Sequence, residues 1–337
     1  MDSLARPFAS IMALVNFLLD VRGLSVELAT ATGRVRPVDE ACFRVGAGEA
    51  VGLVGESGSG KTMLGLGLVG LVPPGARRGG EAWLAGRDGA PPVNLVAEGE
   101  RGLEAIRGRE IGMVFQEPMT ALNPVMRVGA QVREALCIHE PGLGAAELGR
   151  RTLAALERAA VSDPPARERQ YPHELSGGLR QRAMIAMALA AGPRLLVADE
   201  PTTALDVTVQ KQILELLGRL RQESHLALLF ISHDLPVVTQ LAEQLLVMYA
   251  GRIVEQGPAR EVLERPAHPY TAALLEAVPR KGATPAVLAG NVPRLDALPP
   301  GCAFAPRCRY RRPECSLARP EPRRVGPEHY ARCILVP

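Results

Sequence analysis

The chain predicts an α/β protein whose core is a largely parallel sheet covered by helices on both faces. Three observations predict it. Short, nearly continuous apolar runs alternate with segments of helical period. A glycine-rich turn, "GESGSGKT", joins one such run to a helix-like stretch. Composition then shifts near Pro279, where a proline- and arginine-rich tail begins, so the core carries an appendage.

Taken in order, "LLDVRGLSVEL" alternates and "EAVGLVG" is apolar almost throughout, and both read as strands. "EAWLAG" and "IGMVFQ" add two more, with "GAPPVNLVAEGERG" between them as a loop insertion. Residues 128–138 and 146–160 read as helices. "RLLVADE", bounded by Pro193 and Pro201, is a short buried strand. "VTVQKQILELLGRLRQE" repeats Val209, Ile213, Leu216, Leu217 and Leu220 at helical spacing. "LALLFISHD" is a further buried strand, and no internal repeat is present.

A length of 337 residues suits one large domain or one domain with additions. At 47% hydrophobic and 22% charged, the composition is that of a folded soluble protein. Basic residues are nearly all arginine; lysine occurs only at Lys61, Lys211 and Lys281. From Arg280 on, eleven Arg and Lys face four Asp and Glu, a net +7 that leaves −4 for the rest. A basic tail can meet RNA or lipid headgroups. A solvated, loop-rich appendage is the favoured reading. No run approaches the ~20 apolar residues of a membrane span. Arg6 precedes an apolar core as in a signal peptide, but no small-residue cleavage site follows. Residues 1–11 are expected to precede the true start, at Met12. The chain is then cytosolic, where clustered cysteines favour metal over disulfide.

"GESGSGKT", residues 55–62, fits the phosphate-binding pattern G-x-x-x-x-G-K-S/T in its required place, after a strand and before a helix. Gly55, Gly58 and Gly60 let the backbone curl, so that N–H groups of the loop, which also contains Glu56, Ser57 and Ser59, face phosphate oxygens. Lys61 can neutralise the β- and γ-phosphates and Thr62 can ligate Mg²⁺. Asp199, ending a buried strand, can reach the metal's water shell, and Glu200 is the natural general base for an attacking water. Ser176 can cap the helix of "LRQRAMIAMALAA" while Gly177 and Gly178 bare their N–H groups, a second anion site. Locally, that is also what an ordinary serine cap looks like.

"GESGSGKT", "VFQEPMTALNP", "LSGGLRQR", "LLVADEPTTALD" and "ISHD" occur in the order of the Walker A, Q-loop, signature, Walker B with D-loop, and H-switch motifs. The chain therefore resembles the ATPase subunits of ABC transporters. The resemblance implies a P-loop NTPase fold of the ABC type: a RecA-like core, an antiparallel β subdomain and an inserted helical subdomain at about 116–190, together spanning 19–257. An N-terminal extension, 1–18, precedes it, and a cysteine-containing extension, 258–337, follows. It implies that Gln116 senses the metal and γ-phosphate. Ser176, Gly177 and Gly178 would bind the γ-phosphate of ATP on a second subunit. Asp206 would lie across the dimer interface, and His233 would contact the γ-phosphate. Two ATP molecules would be sandwiched head to tail. Members often stack adenine on an aromatic residue after the first strand; here "VELATATGRVRPVDE" has none, which leaves Leu28 or Val35 for that place.

"RGREIGMVFQEPMTALNPVMRVG", "GRIVEQGPAREVLERPAHPYTAALLEAVP" and "GCAFAPRCRYRRPEC" resemble the dipeptide and oligopeptide importer branch, with nickel importers as relatives. The implied partners are two transmembrane permease subunits, a second ATPase subunit (a paralogue or a second copy) and, indirectly, an extracytoplasmic solute-binding protein. The implied place is the cytoplasmic face of the inner membrane. A soluble ATPase acting on nucleic acid or the ribosome is the competing class; one cassette without heptads argues against it, and no nucleic-acid partner is expected. Cys302, Cys308, Cys315 and Cys333 follow C-x5-C-x6-C-x17-C, without the tight pairs of structural zinc. A 4Fe–4S cluster, zinc and a metal-free tail stay open, with the cluster preferred on the resemblance and nearby arginines offsetting thiolate charge. Cys42 and Cys137 are expected to be buried, inert thiols.

Overall fold

The computed structural model describes residues 17–31, 33–203, 205–279, 288 and 290–336. The expectations for residues 1–11 fall outside them. The described chain forms two compact units: 17–46, 50–98 and 231–336 make the first, and 47–49 with 99–230 make the second.

The first unit opens with β1 (Leu19–Thr30) and β2 (Gly33–Val45), paired antiparallel. Between Val26 and Leu28 of β1 the partner in β2 moves from Val38 to Val35, so one extra residue bulges out of β2. Pro37 sits in that bulge, where its missing N–H costs no ladder bond. β3 (Ala50–Val54) is buried at every position and leads into α1 (Lys61–Val69). β4 (Arg77–Leu84) pairs with β1, and β5 (Val93–Asn94) pairs with β4, giving sheet order β2-β1-β4-β5. The expected loop over 89–102 is thus partly ordered. Leu95 is fully buried, and the Asn94 side chain accepts N–H bonds from Ala82 and Val96. One apolar anchor and one amide suffice to stitch the segment to the sheet, and neither creates a periodic pattern.

The second unit begins with α2 (Glu100–Ile106) and β6 (Ile111–Val114). Helices α3 (Pro118–Ala121), α4 (Val128–His139), α5 (Ala145–Arg158), α6 (Pro164–Arg167) and α7 (Gly177–Leu189) follow. β7 (Leu195–Asp199) pairs parallel with β6, and α8 (Val207–Ser224) lies between β7 and β8 (Ala227–Ser232), in order β8-β7-β6. β7 and β8 are buried throughout, as parallel strands covered on both faces require.

The chain then returns to the first unit with α9 (Leu235–Val238), β9 (Gln244–Tyr249), β10 (Arg252–Pro258), α10 (Ala259–Glu264) and α11 (Pro269–Ala277). β9 runs parallel to β3 and antiparallel to β10. The tail adds β11 (Arg323–Arg324) and β12 (Tyr330–Ala331), with β12 on the free edge of β10, for an order β11-β12-β10-β9-β3. The buried Glu255 carboxylate fastens this end: it accepts from the N–H groups of Ala267 and His268 and lies 2.7 Å from His329 Nε2. Among the described residues no helix is long and apolar enough to cross a membrane.

Candidate functional site

Gly55–Thr62 links β3 to α1 and forms a cradle in which Gly55 and Gly60 have no room for a Cβ. Gly60 has φ +107°, and a Cβ there would lie 1.9 Å from the Pro37 carbonyl oxygen. The β2 bulge is what brings that oxygen in. A Cβ on Gly55 would lie 2.2 Å from the Met248 carbonyl oxygen. Lys61 is buried, and its ammonium donates to the carbonyls of Gly55 at 2.8 Å and Glu56 at 3.0 Å. The loop is therefore closed around its own cation. Ser59 Oγ is buried without a hydrogen-bond partner among the described residues. An enclosed ammonium, a helix start and an orphaned hydroxyl fit a polyphosphate, with exposed Thr62 at the mouth for a metal ion. Leu28 and Val35 are direct partners across β1 and β2, both half-buried.

In the second unit, buried Asp199 ends β7 and Glu200 follows it in the left-handed region, φ +46°. A non-glycine residue there is strained unless its surroundings hold it. They do: Glu200 Oε2 accepts from Gln116 Nε2 at 3.1 Å and from Thr203 Oγ1 at 2.9 Å. The carboxylate is thereby aimed, with one oxygen fixed by two donors. Thr203 is the residue that sequence reading passed over; it lies inside "LLVADEPTTALD" but carried no role there.

The expected second anion site is a serine-capped helix start with exposed neighbours. Ser176 caps α7, accepting from the Leu179 N–H at 3.4 Å. Asp206 caps α8, with Oδ1 accepting from Thr208 and Val209, both at 3.0 Å. A Cβ on Gly178 would meet the Val209 side chain at 2.8 Å, so that glycine lets α7 approach α8. Two capped helix starts thus sit side by side, with Ser176, Gly177 and Asp206 exposed. His233, in the first unit, is also exposed, after β8.

The four clustered cysteines come together, but the described residues do not form a metal-holding group around them. Cys302, Cys308, Cys315 and Cys333 line one cavity with His268 and Phe304. Its volume is only about 10 Å³, room for about one water. Among the described residues no group of three or more His, Cys, Asp or Glu is arranged to hold a metal ion. As it stands the pocket does not fit a 4Fe–4S cluster. Burial pushes the thiols of Cys302, Cys308 and Cys333 up, against weaker lowering by backbone hydrogen bonds, which favours thiol over thiolate. Two of the nearby arginines are engaged elsewhere: Arg307 with Glu56 and Arg309 with Glu276. Cys137 is exposed, not buried, because α4 buries Gln131, Val132 and Leu136 and turns position 137 outward. Cys42 is half-buried, and its sulfur accepts from the Gly23 N–H.

The ABC transporter family matches residues 38–203. The family described as oligopeptide/dipeptide transporter, C-terminal region, matches 254–315, so the match takes in three of the four clustered cysteines and stops before Cys333. A putative peptide import ATP-binding protein of Brucella ovis is 46% identical over 331 residues, 94% of this chain and 96% of the relative. The oligopeptide transport ATP-binding protein OppD of Salmonella typhimurium is 47% identical over 308 residues, 90% of each chain. Among solved structures, the dimeric post-hydrolysis state of the ATP-binding cassette MJ0796 bound to ADP and Pi matches with TM-score 0.63 and 26% identity, covering 72% of this chain and 99% of that one. A glycine cradle, a strained and aimed glutamate and near-full-length relatives agree: this chain belongs to the ATP-binding proteins of ABC transporters, within the group that carries the oligopeptide/dipeptide C-terminal region.

Proposed function

We propose that this chain hydrolyses ATP to drive uptake of di- and oligopeptides through a membrane permease. One observation carries the reading: a polyphosphate cradle and an oligopeptide-transporter C-terminal region are joined in one chain. The names of its relatives, peptide import and oligopeptide transport, point the same way. Import of nickel or another small solute, and a soluble ATPase acting on nucleic acid or the ribosome, the competing expectations, find no counterpart among the relatives named above.

In this reading Gly55–Thr62 holds the phosphates, and Thr62 with Asp199 holds Mg²⁺, which polarises them when bound. Glu200 takes the proton of the attacking water, and its two side-chain donors, Gln116 and Thr203, keep it pointed. His233 contacts the γ-phosphate. Ser176, Gly177, Gly178 and Asp206 face the nucleotide of a second ATPase subunit. The 82% exposed Val207, beside Asp206, suits a face covered by such a partner. Met119 and Val125, exposed just beyond Gln116, suit a surface for the permease. The chain then works at the cytoplasmic face of the membrane, served indirectly by a solute-binding protein. Its functional division is 19–257 for the cassette and 258–337 for the extension.

The finer cofactor reading, a 4Fe–4S cluster, rests only on four thiols reaching one cavity, which would have to open. Anaerobically purified protein that carries iron and absorbs near ~400 nm would establish it. Colourless, iron-free protein would dismiss it.

Uptake tests the main reading. A strain lacking this gene is given labelled dipeptides, longer peptides and nickel. Loss of peptide uptake, restored by the wild-type gene but not by Glu200→Gln, is the expected result. Intact peptide uptake with loss of nickel uptake would refute it.

A further inference from the structure

The nucleotide cradle does not stand on its own glycines alone. Glu56, its second residue, has every polar group engaged. Its carbonyl accepts from Lys61. Its N–H donates to the hydroxyl of Tyr270, at 2.9 Å. Its carboxylate is gripped by both ends of the Arg307 guanidinium, at 2.6 and 3.0 Å. Tyr270 and Arg307 lie more than 200 residues away in sequence, and both fall within the segment matched by the oligopeptide/dipeptide C-terminal region.

The grip is built. The Arg307 side chain is 5% exposed and that of Glu56 28%. Arg307 also contacts the Tyr249 hydroxyl at 3.4 Å and the Leu288 carbonyl at 3.4 Å. Tyr249, Tyr270 and Phe304 pack ring to ring, with centroids 4.5 and 5.3 Å apart. Tyr270 is fully buried at the start of α11, and Arg307 immediately precedes Cys308. A carboxylate beside a polyphosphate repels it. The bidentate guanidinium cancels that charge while pinning the loop residue that carries it.

We propose that Arg307 and Tyr270, from the C-terminal extension, are positioning residues of the nucleotide loop: Arg307 neutralises and holds the Glu56 carboxylate, and Tyr270 fixes the Glu56 N–H. The extension is thereby a working part of the ATP site. This rests on the reading of Gly55–Thr62 as the ATP loop.

The test is ATP affinity of the full-length purified chain, with thermal stability measured alongside. Arg307→Ala is expected to weaken ATP on the order of tenfold, the scale of one lost charge-assisted pair. Adding Glu56→Gln removes the unpaired carboxylate and is expected to return affinity to within about threefold of wild type. A purely structural anchor would show no such rescue. Arg307→Lys keeps the charge but loses the two-pronged grip, and is expected to fall between wild type and Arg307→Ala. Arg309→Ala, whose residue pairs with Glu276 on the surface, is expected to bind ATP as wild type does. The proposal is overturned if Arg307→Ala binds ATP within about twofold of wild type, or if Glu56→Gln gives no rescue. It is equally overturned if Arg307→Lys loses as much as Arg307→Ala. Lys61→Ala separates the two readings: if it too binds as wild type does, the assignment of the ATP loop fails first.

Discussion

The phosphate loop and the cysteine segment belong to the same unit and meet at Glu56–Arg307, yet they are organised differently. The loop gathers its groups over eight consecutive residues. Its shape follows from glycines whose Cβ atoms would collide with carbonyls of Pro37 and Met248. The cysteine segment spreads four thiols over 32 residues, held by turns, two short 3₁₀ helices and a strand on the edge of β10. Its thiols reach one cavity without becoming a metal-holding group among the described residues. What differs is range. A ligand site made of neighbours is decided by local backbone conformation. A site made of distant residues is decided by whatever packs between them, here Phe304, His268 and the Arg307 grip.

Four measurements probe this contrast between local and long-range sites. The largest effect belongs to Glu200→Gln. Phosphate release should fall by about 10²–10⁴-fold, the usual yield of a general base, while ATP binding persists. Normal turnover would remove Glu200 from that role. Next comes Lys61→Ala, for which equilibrium binding should show ATP affinity down by roughly a hundredfold, since an enclosed ammonium is lost. An unchanged affinity would leave the loop without its main cation.

Gly60→Ala probes the local side of the comparison directly. Both φ +107° and the 1.9 Å approach to Pro37 oppose a Cβ. Denaturant unfolding should show a loss of about 2–4 kcal/mol, unlike Gly58→Ala, where φ is +78° but nothing lies within 4 Å. Equal losses would mean that backbone strain alone, not close approach, shapes the cradle.

The smallest effect probes how the extension is fastened. Asp39 of β2 accepts from Arg252 at 2.8 Å and from Arg319 of the tail at 2.9 Å. Burial raises the Asp39 carboxyl, but these guanidiniums and that of Arg36 outweigh it and hold it below its ordinary value. Its stabilising contribution is therefore present above the unfolded carboxyl's pKa of about 3.9 and is lost as pH falls through the lower folded value. Asp39→Asn should cost about 1–2 kcal/mol at neutral pH and flatten the acid limb of a stability–pH curve. A limb as steep as wild type's would assign acid unfolding to other carboxylates.

The limits of sequence reading fall along the same line. Strands β3, β7 and β8 and helices α7 and α8 are visible as apolar runs and helical periods, because burial on both faces or on one stripe imposes those patterns. β5 is not, since one buried leucine and one asparagine side chain hold that segment. Cys137 was expected inside and lies outside because the burial stripe of α4 passes one residue away.

The glycine-rich loop, the acidic pair at the end of β7 and the serine-capped helix are legible in the chain alone, because each is a run of neighbours whose chemistry and backbone geometry are one problem. Folding alone brings Thr203 and Gln116 to the Glu200 carboxylate, the Pro37 carbonyl of the β2 bulge against Gly60, and Arg307 and Tyr270 onto Glu56. The Gln116, Tyr270 and Arg307 contacts join residues 84, 214 and 251 positions apart, while the Thr203 contact, three positions away, rests on the positive φ of Glu200. No periodicity or spacing records them, because their partners are chosen by packing and not by chain order.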